Sequence, residues 1–456
     1  MRTTTKAITL ATLIALNSIA HADDASQSRI DLLEKQLQAM QAELAALKAD
    51  QSKLTKTVSE QASTTTQLAE AVQNAPVKSA ANDKLSVWGY AEVNYTRPTK
   101  DLDNTTADIS RAVLGLGYRF NERTAFNSEF ELEHAVTSSD DKGEFEIEQL
   151  YVDHALNDAV TLRSGLFLMP AGFLNRSHEP AQYFGVRRNF VETLIIPSTW
   201  REGGVSAFGT TESGISWQAG ITTGLNLSEW KFNPEFPQFT TAQQLQESGA
   251  APFQASHQEM SQANARRLAT FAAVNYTGIP GVSAGASYFT GEAVPVAGVE
   301  TMRTTLWDVH ARWTPGPFDL SALYAHGSIS HAAEANAQNP GTANPLPSAF
   351  YGYYLQAAWK AWEDGEQKLV PFFRSERFNL ISSAEGLAPG SGVIPAGSVV
   401  VDESGKTGYW PRPYDTVNTL GVSYYLNANV VFKADMQQFS VNRDFKRFNL
   451  GLGLQF

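Results

Sequence analysis

The sequence predicts an all-β transmembrane barrel of about sixteen antiparallel strands, preceded by an α-helical coiled coil. Three observations carry this. The hydrophobic period falls from about 3.5 residues to about 2 at Leu85. The last strands alternate strictly between apolar and polar side chains, and short turns alternate with long connections along the chain.

Residues 1–22 carry Arg2 and Lys6, an apolar run from Ala7 to Ala20, and the small-x-small triplet Ala20-His21-Ala22. That is the pattern of a secretory signal peptide, too short in its apolar core to span a membrane. Residues 23–73 are expected to form a periplasmic coiled coil. Ile30, Leu33, Leu37, Met40, Leu44 and Leu47 step by three and four, and the frame runs on through Gln51, Leu54, Val58, Gln61, Thr65, Leu68 and Val72. Glu43 and the following Lys48 fall at g and e positions, which supports parallel neighbours, while Gln51, Gln61 and Thr65 weaken the seam and specify register. The expectation is an oligomer tied together at this end. Residues 74–84 form a polar linker with a proline.

Residues 85–456 read as the barrel. In the final strand Phe448, Leu450, Leu452, Leu454 and Phe456 face one way, and Arg447, Asn449, Gly451, Gly453 and Gln455 the other. The two strands before it repeat the pattern, with Phe432 and Met436 opposite Lys433, Asp435 and Gln437, and Leu420 and Val422 opposite Thr419, Gly421 and Ser423. Short turns fall near 121–123, 157–158, 211–213, 278–281, 315–317, 363–365 and 427–429. Between them lie longer connections near 97–107, 134–143, 169–200, 225–265, 291–303, 327–347, 379–413 and 439–444. In the 225–265 connection, "TTAQQLQESG" and "HQEMSQANARRL" read as short helical pieces. Aromatic residues such as Trp307, Trp313, Tyr351, Tyr353 and Trp359 sit on outward faces, as interfacial girdles require.

Composition narrows the function classes. Lys and Arg total 35 against 47 Asp and Glu, which argues against nucleic acid as a partner. The absence of cysteine excludes disulfides and Cys-based metal sites. No nucleotide-binding loop, Gly-x-Ser-x-Gly elbow or zinc-protease motif occurs, and no cofactor or metal is expected. His178-Glu179 lacks a second histidine at i+4. Asp308 and His310 could be drawn into a hydrolase scheme, but no serine is specified as nucleophile.

The runs "FELEHA" and "GEFEIEQLYVDHAL" and the stretch "LNRSHEPAQYFGVRRNFVETLIIPSTWREGG" resemble the phosphate-selective porin O/P family, over most of the chain after Leu85. A coiled coil before a barrel is similar to the DcaP-like trimeric channels for dicarboxylates, and a last strand ending at Phe456 resembles the signal read by the barrel assembly machinery. The resemblance implies a homotrimer in the outer membrane of a Gram-negative bacterium, with a loop folded into each lumen after the fifth strand. That loop is 169–200. Its large apolar residues, Phe173, Leu174, Tyr183, Phe184, Phe190, Leu194, Ile195 and Ile196, are expected to pack on the barrel wall. Its charged residues, Arg176, His178, Glu179, Arg187, Arg188, Glu192 and Arg201, would then line the constriction. Arg163, Arg312, Lys360, Lys433 and Arg447 fall on inner faces and could form a basic ladder, although for each a pairing with an opposite charge is the simpler reading. Glu129, Glu131 and Glu133 also face inward, and few lysines do, which weakens the case for phosphate specificity. The expected function is passive diffusion of small hydrophilic, preferentially anionic solutes. The alternatives are an adhesin or receptor that binds through its external loops, and a barrel hydrolase.

Overall fold

The computed structural model describes residues 84–456, apart from 100–101, 138–142, 233–250, 341, 343, 388–398, 402–406, 410–413, 442 and 444–445, together with Lys35. The signal peptide, the coiled coil and most of the linker lie outside the described residues.

The barrel strands in chain order are β1 (Leu85–Pro98), β2 (Thr106–Arg119), β3 (Thr124–Glu133), β4 (Glu144–Ala155), β5 (Thr161–Leu168), β6 (Arg201–Thr210), β7 (Ile215–Thr223) and β8 (Leu268–Tyr276). They continue as β9 (Val282–Ala293), β10 (Met302–Trp313), β11 (Phe318–Ile329), β12 (Ala349–Trp359), β13 (Gln367–Ser383), β14 (Tyr414–Tyr425), β15 (Val430–Phe439) and β16 (Lys446–Gln455). Each pairs antiparallel with its sequence neighbours, and β1 closes the sheet on β16 with Tyr90 opposite Gln455 and Pro98 opposite Arg447. The piece Trp362–Asp364 continues the wall position of β12 against β13, so the closed sheet has sixteen strands. The predicted turn pattern holds: short turns join β2 to β3, β4 to β5 and so on to β14–β15, and every other connection is longer. Closure leaves none of these sixteen barrel strands at a sheet edge, as a sheet in lipid requires.

Burial is inverted relative to a water-soluble protein. Leu420 (64 % exposed), Leu355, Val205, Phe432 and Leu450 point outward, whereas Thr419, Ser423, Gln437 and Asn449 on the inner face are fully buried. Lipid supplies the environment for the first set, and the filled lumen for the second. Outward aromatics form the expected bands: Trp307 packs at a tilt on Tyr324, which stacks on Tyr351, across β10–β12, and Trp313, Phe318, Trp359 and Trp362 are exposed at the short-turn end.

The apolar core sits inside the barrel. Phe190, Val191, Leu194, Ile195, Ile196 and Trp200 of the 169–200 connection are each at most 1 % exposed, packed with Phe253, Phe289, Phe350, Phe378 and Phe439. Each such side chain contributes about 1.5–3 kcal/mol on burial. Gly352 on β12 lets the loop approach, since a Cβ there would lie 2.9 Å from Ile195 Cγ1 and 3.1 Å from Val191. One expectation fails: residues 257–267 form turns and bends instead of a helix, with positive φ at Glu259, Met260 and Gln262 interrupting any helical run. The segment "TTAQQLQESG" lies outside the described residues. The only α-helix named among them, α1 (Ala332–Ala337), lies in the β11–β12 connection.

Candidate functional site

The 169–200 loop enters the lumen after β5, as expected, and is held there mainly through its own backbone. Wall carboxylates accept from its N–H groups: Asp308 from Gly172 (3.1 Å), Asp435 from Val186 (2.7 Å) and Glu376 from Phe190 (2.5 Å). Wall arginines donate to its carbonyls, Arg111 to His178 (2.7 Å) and Arg374 to Phe184 (3.3 Å). A loop lacks the ladder that satisfies a strand, so inside a barrel its polar backbone must find such partners. Inward acidic residues on β10, β13 and β15 therefore hold the loop in place.

Two predicted constriction residues turn out to be anchors. Glu192 is 2 % exposed. Its carboxylate accepts from Phe173 N (2.6 Å), Leu174 N (2.7 Å), Asn189 Nδ2 (2.8 Å) and Tyr354 Oη (3.1 Å). Burial raises its pKa, against the pull of these donors. His178 is 3 % exposed. Its Nδ1 donates to Asn175 O (3.1 Å), and its Nε2 faces Tyr90 Oη (2.7 Å) and Glu148 Oε1 (3.0 Å). Nδ1 can only donate to that carbonyl, and a proton on Nε2 as well, facing the Glu148 carboxylate, makes the ring an imidazolium. Burial opposes that charge, but the Glu148 carboxylate prevails and lifts the pKa to about 9.

Arg201 is buried as well, neutralised by Glu146 (2.5 Å) and Glu259 (3.0 Å). Arg176 is half-buried with Nη1 toward Gln218 Oε1 at 3.4 Å, and Glu179 is half-buried above Trp88, Tyr90 and Glu129. Arg187 and Arg188 differ from the rest. Arg187 donates to Thr96 Oγ1 (3.3 Å), and Arg188 to Ser198 Oγ (2.6 Å) and Thr199 Oγ1 (2.9 Å). Both are half-buried, and among the described residues neither has a carboxylate within ion-pair distance. They pair with neither Glu179 nor Glu192. Burial lowers the Arg187 pKa, with Glu92, Asp108 and Asp435 pulling the other way from farther off.

The five wall cations do not make one ladder. Arg163 is held by Asp153 through two bonds (2.8 and 2.9 Å), and Arg312 pairs with Asp319. Lys360 lies beyond the end of β12 in the short turn, bound to Glu363 at 2.6 Å, and so is a rim residue outside the wall. Lys433 lies 3.7 Å from the centre of the Tyr183 ring, and Arg447 donates to the Gln437 amide oxygen (2.9 and 2.6 Å). Periodicity assigns a face to each position but gives no view of partners on the neighbouring strand, and it set Lys360 on a wall that ends one residue earlier.

A hydrolytic centre at Asp308 and His310 is contradicted by the hydrogen bonds. His310 Nδ1 meets Asp308 Oδ1 at 2.6 Å, but its Nε2 faces the Asn275 amide oxygen at 3.0 Å, and Ser287 donates to Asp308. Among the described residues no serine stands where the imidazole could take its proton.

Residues 87–366 match the family described as "Phosphate-selective porin O and P". The chain belongs to that family. A protein of Aquifex aeolicus (strain VF5), described as uncharacterized, is 28% identical to this porin over 338 residues, covering 72% of this chain and 73% of its own. OmpF of Salmonella typhi, solved in complex with daunomycin, shares the fold at a TM-score of 0.52 and 12% identity, over 82% of this chain and 97% of its own. An anion-selective porin from Comamonas acidovorans aligns at a TM-score of 0.47 and 10% identity, over 81% and 98% of the two chains. The protein is thus an outer-membrane porin, a channel for small solutes.

Proposed function

We propose that this porin prefers small hydrophilic anions, phosphate or small carboxylates, and that Arg187 and Arg188 form its filter. The supporting observation is that, among the described residues, neither has a carboxylate at ion-pair distance, whereas His178 on the same loop is paired with Glu148, Glu192 is occupied by hydrogen-bond donors, and Arg201 at the loop's end is paired with Glu146 and Glu259. Partly buried guanidiniums inside a low-dielectric barrel raise the local concentration of anions and lower their entry cost. Arg176 and Glu179 flank them. Lys433 and Arg447 add positive charge on β15 and β16, while Arg163, Arg312 and Lys360 contribute little because each is paired.

The same reading makes the protein a homotrimer, with residues 23–73 as a periplasmic coiled coil after a signal peptide and Phe456 presented to the assembly machinery. Reversal potentials in asymmetric KCl test the filter. Anion preference in the wild type, reduced in Arg187→Gln and Arg188→Gln, is the expected result. A cation-selective wild-type channel would overturn it.

A further inference from the structure

Between the His178 end of the loop and the inner faces of β1, β3 and β4 lies a recess of about 440 Å³, part of it open lumen. One rung of the sheet builds its floor. Register aligns Trp88 on β1, Gly115 on β2, Glu129 on β3 and Gln149 on β4. A Cβ at Gly115 would fall on the Nε1, Cε2 and Cδ2 atoms of the indole, so the missing side chain is what lets Trp88 lie flat along β2. Trp88 Nε1 donates to Glu129 Oε1 (2.7 Å) and Gln149 Nε2 donates to Glu129 Oε2, which fixes the ring in its plane. One indole face is covered by the wall, and half-buried Trp88 turns the other to the recess it lines.

Polar groups with remaining hydrogen-bonding capacity border that face. On the next rung Asn127 stands opposite Tyr151, and the loop adds Glu179 from across the recess. Both Asn127 and Glu179 are half-buried, and among the described residues no hydrogen bond or ion pair engages either side chain. Gln149 uses its NH2 on Glu129 and keeps its amide oxygen. The chemistry of the lining selects by charge. Carboxylates turned into the recess repel anions. The His178 imidazolium beside it, and the Arg163 guanidinium 3.9 Å from the centre of the Tyr151 ring, disfavour an ammonium ion. A neutral solute with an apolar face and hydroxyls around its rim fits what remains.

We propose that this recess is a saccharide subsite, in which one pyranose ring stacks its C–H face on Trp88 and shares its hydroxyls among Asn127, Glu129, Gln149 and Glu179. A pyranose carries C–H groups on its flat face and hydroxyls at its edge. That is the complement of a fixed aromatic platform bordered by planar amides and carboxylates, which offer both donors and acceptors. A platform already locked by Gly115 and Glu129 loses little freedom when the ring settles on it. The subsite holds neutral sugars on one wall of the channel, apart from Arg187 and Arg188. It rests on the channel reading but not on the sign of the arginine filter.

The test is the KCl current of the full-length porin in planar bilayers during titration with D-glucose, with sorbitol, an open-chain polyol of the same carbon count, as the comparison. Glucose is expected to lower the current along a saturating curve, and sorbitol only in proportion to viscosity. Trp88→Ala should raise the half-saturating glucose concentration about tenfold and Asn127→Ala about threefold, while Trp88→Phe, which keeps a ring to stack on, falls between wild type and Trp88→Ala. Equal effects of glucose and sorbitol, or unchanged half-saturation in both alanine variants, would overturn the proposal. Block by tetramethylammonium chloride at a lower concentration than glucose would overturn it too, by making the recess a cation site. If Trp88→Ala does not assemble, Asn127→Ala alone decides it. The reversal potential is measured in the same channels, so a failed anion preference and a failed saccharide subsite are read separately.

Discussion

Removing the Glu192 carboxylate should loosen the pore without unfolding the barrel. In Glu192→Ala, Phe173 N and Leu174 N lose their acceptor, and Asn189 and Tyr354 lose theirs. A buried donor left unpaired costs about 1–3 kcal/mol. Two backbone donors together with two side-chain donors, discounted for relaxation, give on the order of 4–6 kcal/mol of lost loop anchoring. Glu192→Gln is milder. Its amide oxygen can keep the two backbone donors, while its NH2 meets the Asn189 NH2 donor to donor, a cost of about 1–2 kcal/mol. The barrel ladder contains none of these bonds, so heat-modifiable migration in SDS gels should be nearly unchanged. Single-channel recordings should show larger and noisier conductance in the order wild type, Gln, Ala. Identical conductance and noise in wild type and Glu192→Ala would refute the claim that this carboxylate clips the loop.

Three further outcomes follow from the same structure. The His178 pKa, lifted from the ordinary 6.5 to about 9, makes its anchoring fully present below about pH 6.5 and lost as pH rises through about 9, a contribution of about 3 kcal/mol. Current noise should therefore rise in wild type above about pH 9, and His178→Gln should remove that transition. Gly352→Val places side-chain atoms against Ile195 and Val191, costing about 1–3 kcal/mol. A shifted conductance with normal membrane assembly is the expected reading. Leu420→Arg puts a charge on the lipid face, about 2–4 kcal/mol if near the midplane, and should lower the yield of folded barrel in membrane fractions, whereas Thr419→Ser on the inner face should not.

The barrel was legible because each of its signals is local. Alternation in β14–β16 separates lipid from lumen, and turn length separates the two ends, so strand number follows from the chain alone. The loop was legible too, because Phe190, Leu194, Ile195 and Ile196 are too apolar for water. Electrostatic roles were not. Arg201 finds Glu146 on β4 and Glu259 in a distant connection, and Glu192 is consumed by backbone donors, both outcomes of three-dimensional placement. Bulges between Glu92 and Val93 and between Glu129 and Phe130 also shift the register in ways that period counting does not register. The helical reading of 257–267 failed because helical spacing in a polar stretch has no apolar face to enforce it.

The acidic residues that grip the loop reside on β10, β13 and β15, and the loop itself follows β5. None of those grips exists until strands more than a hundred positions downstream have joined the wall. A wall that lacks those strands still holds the loop by its His178 end, through Tyr90, Arg111 and Glu148, so the full narrowing of the pore belongs to the closed barrel alone.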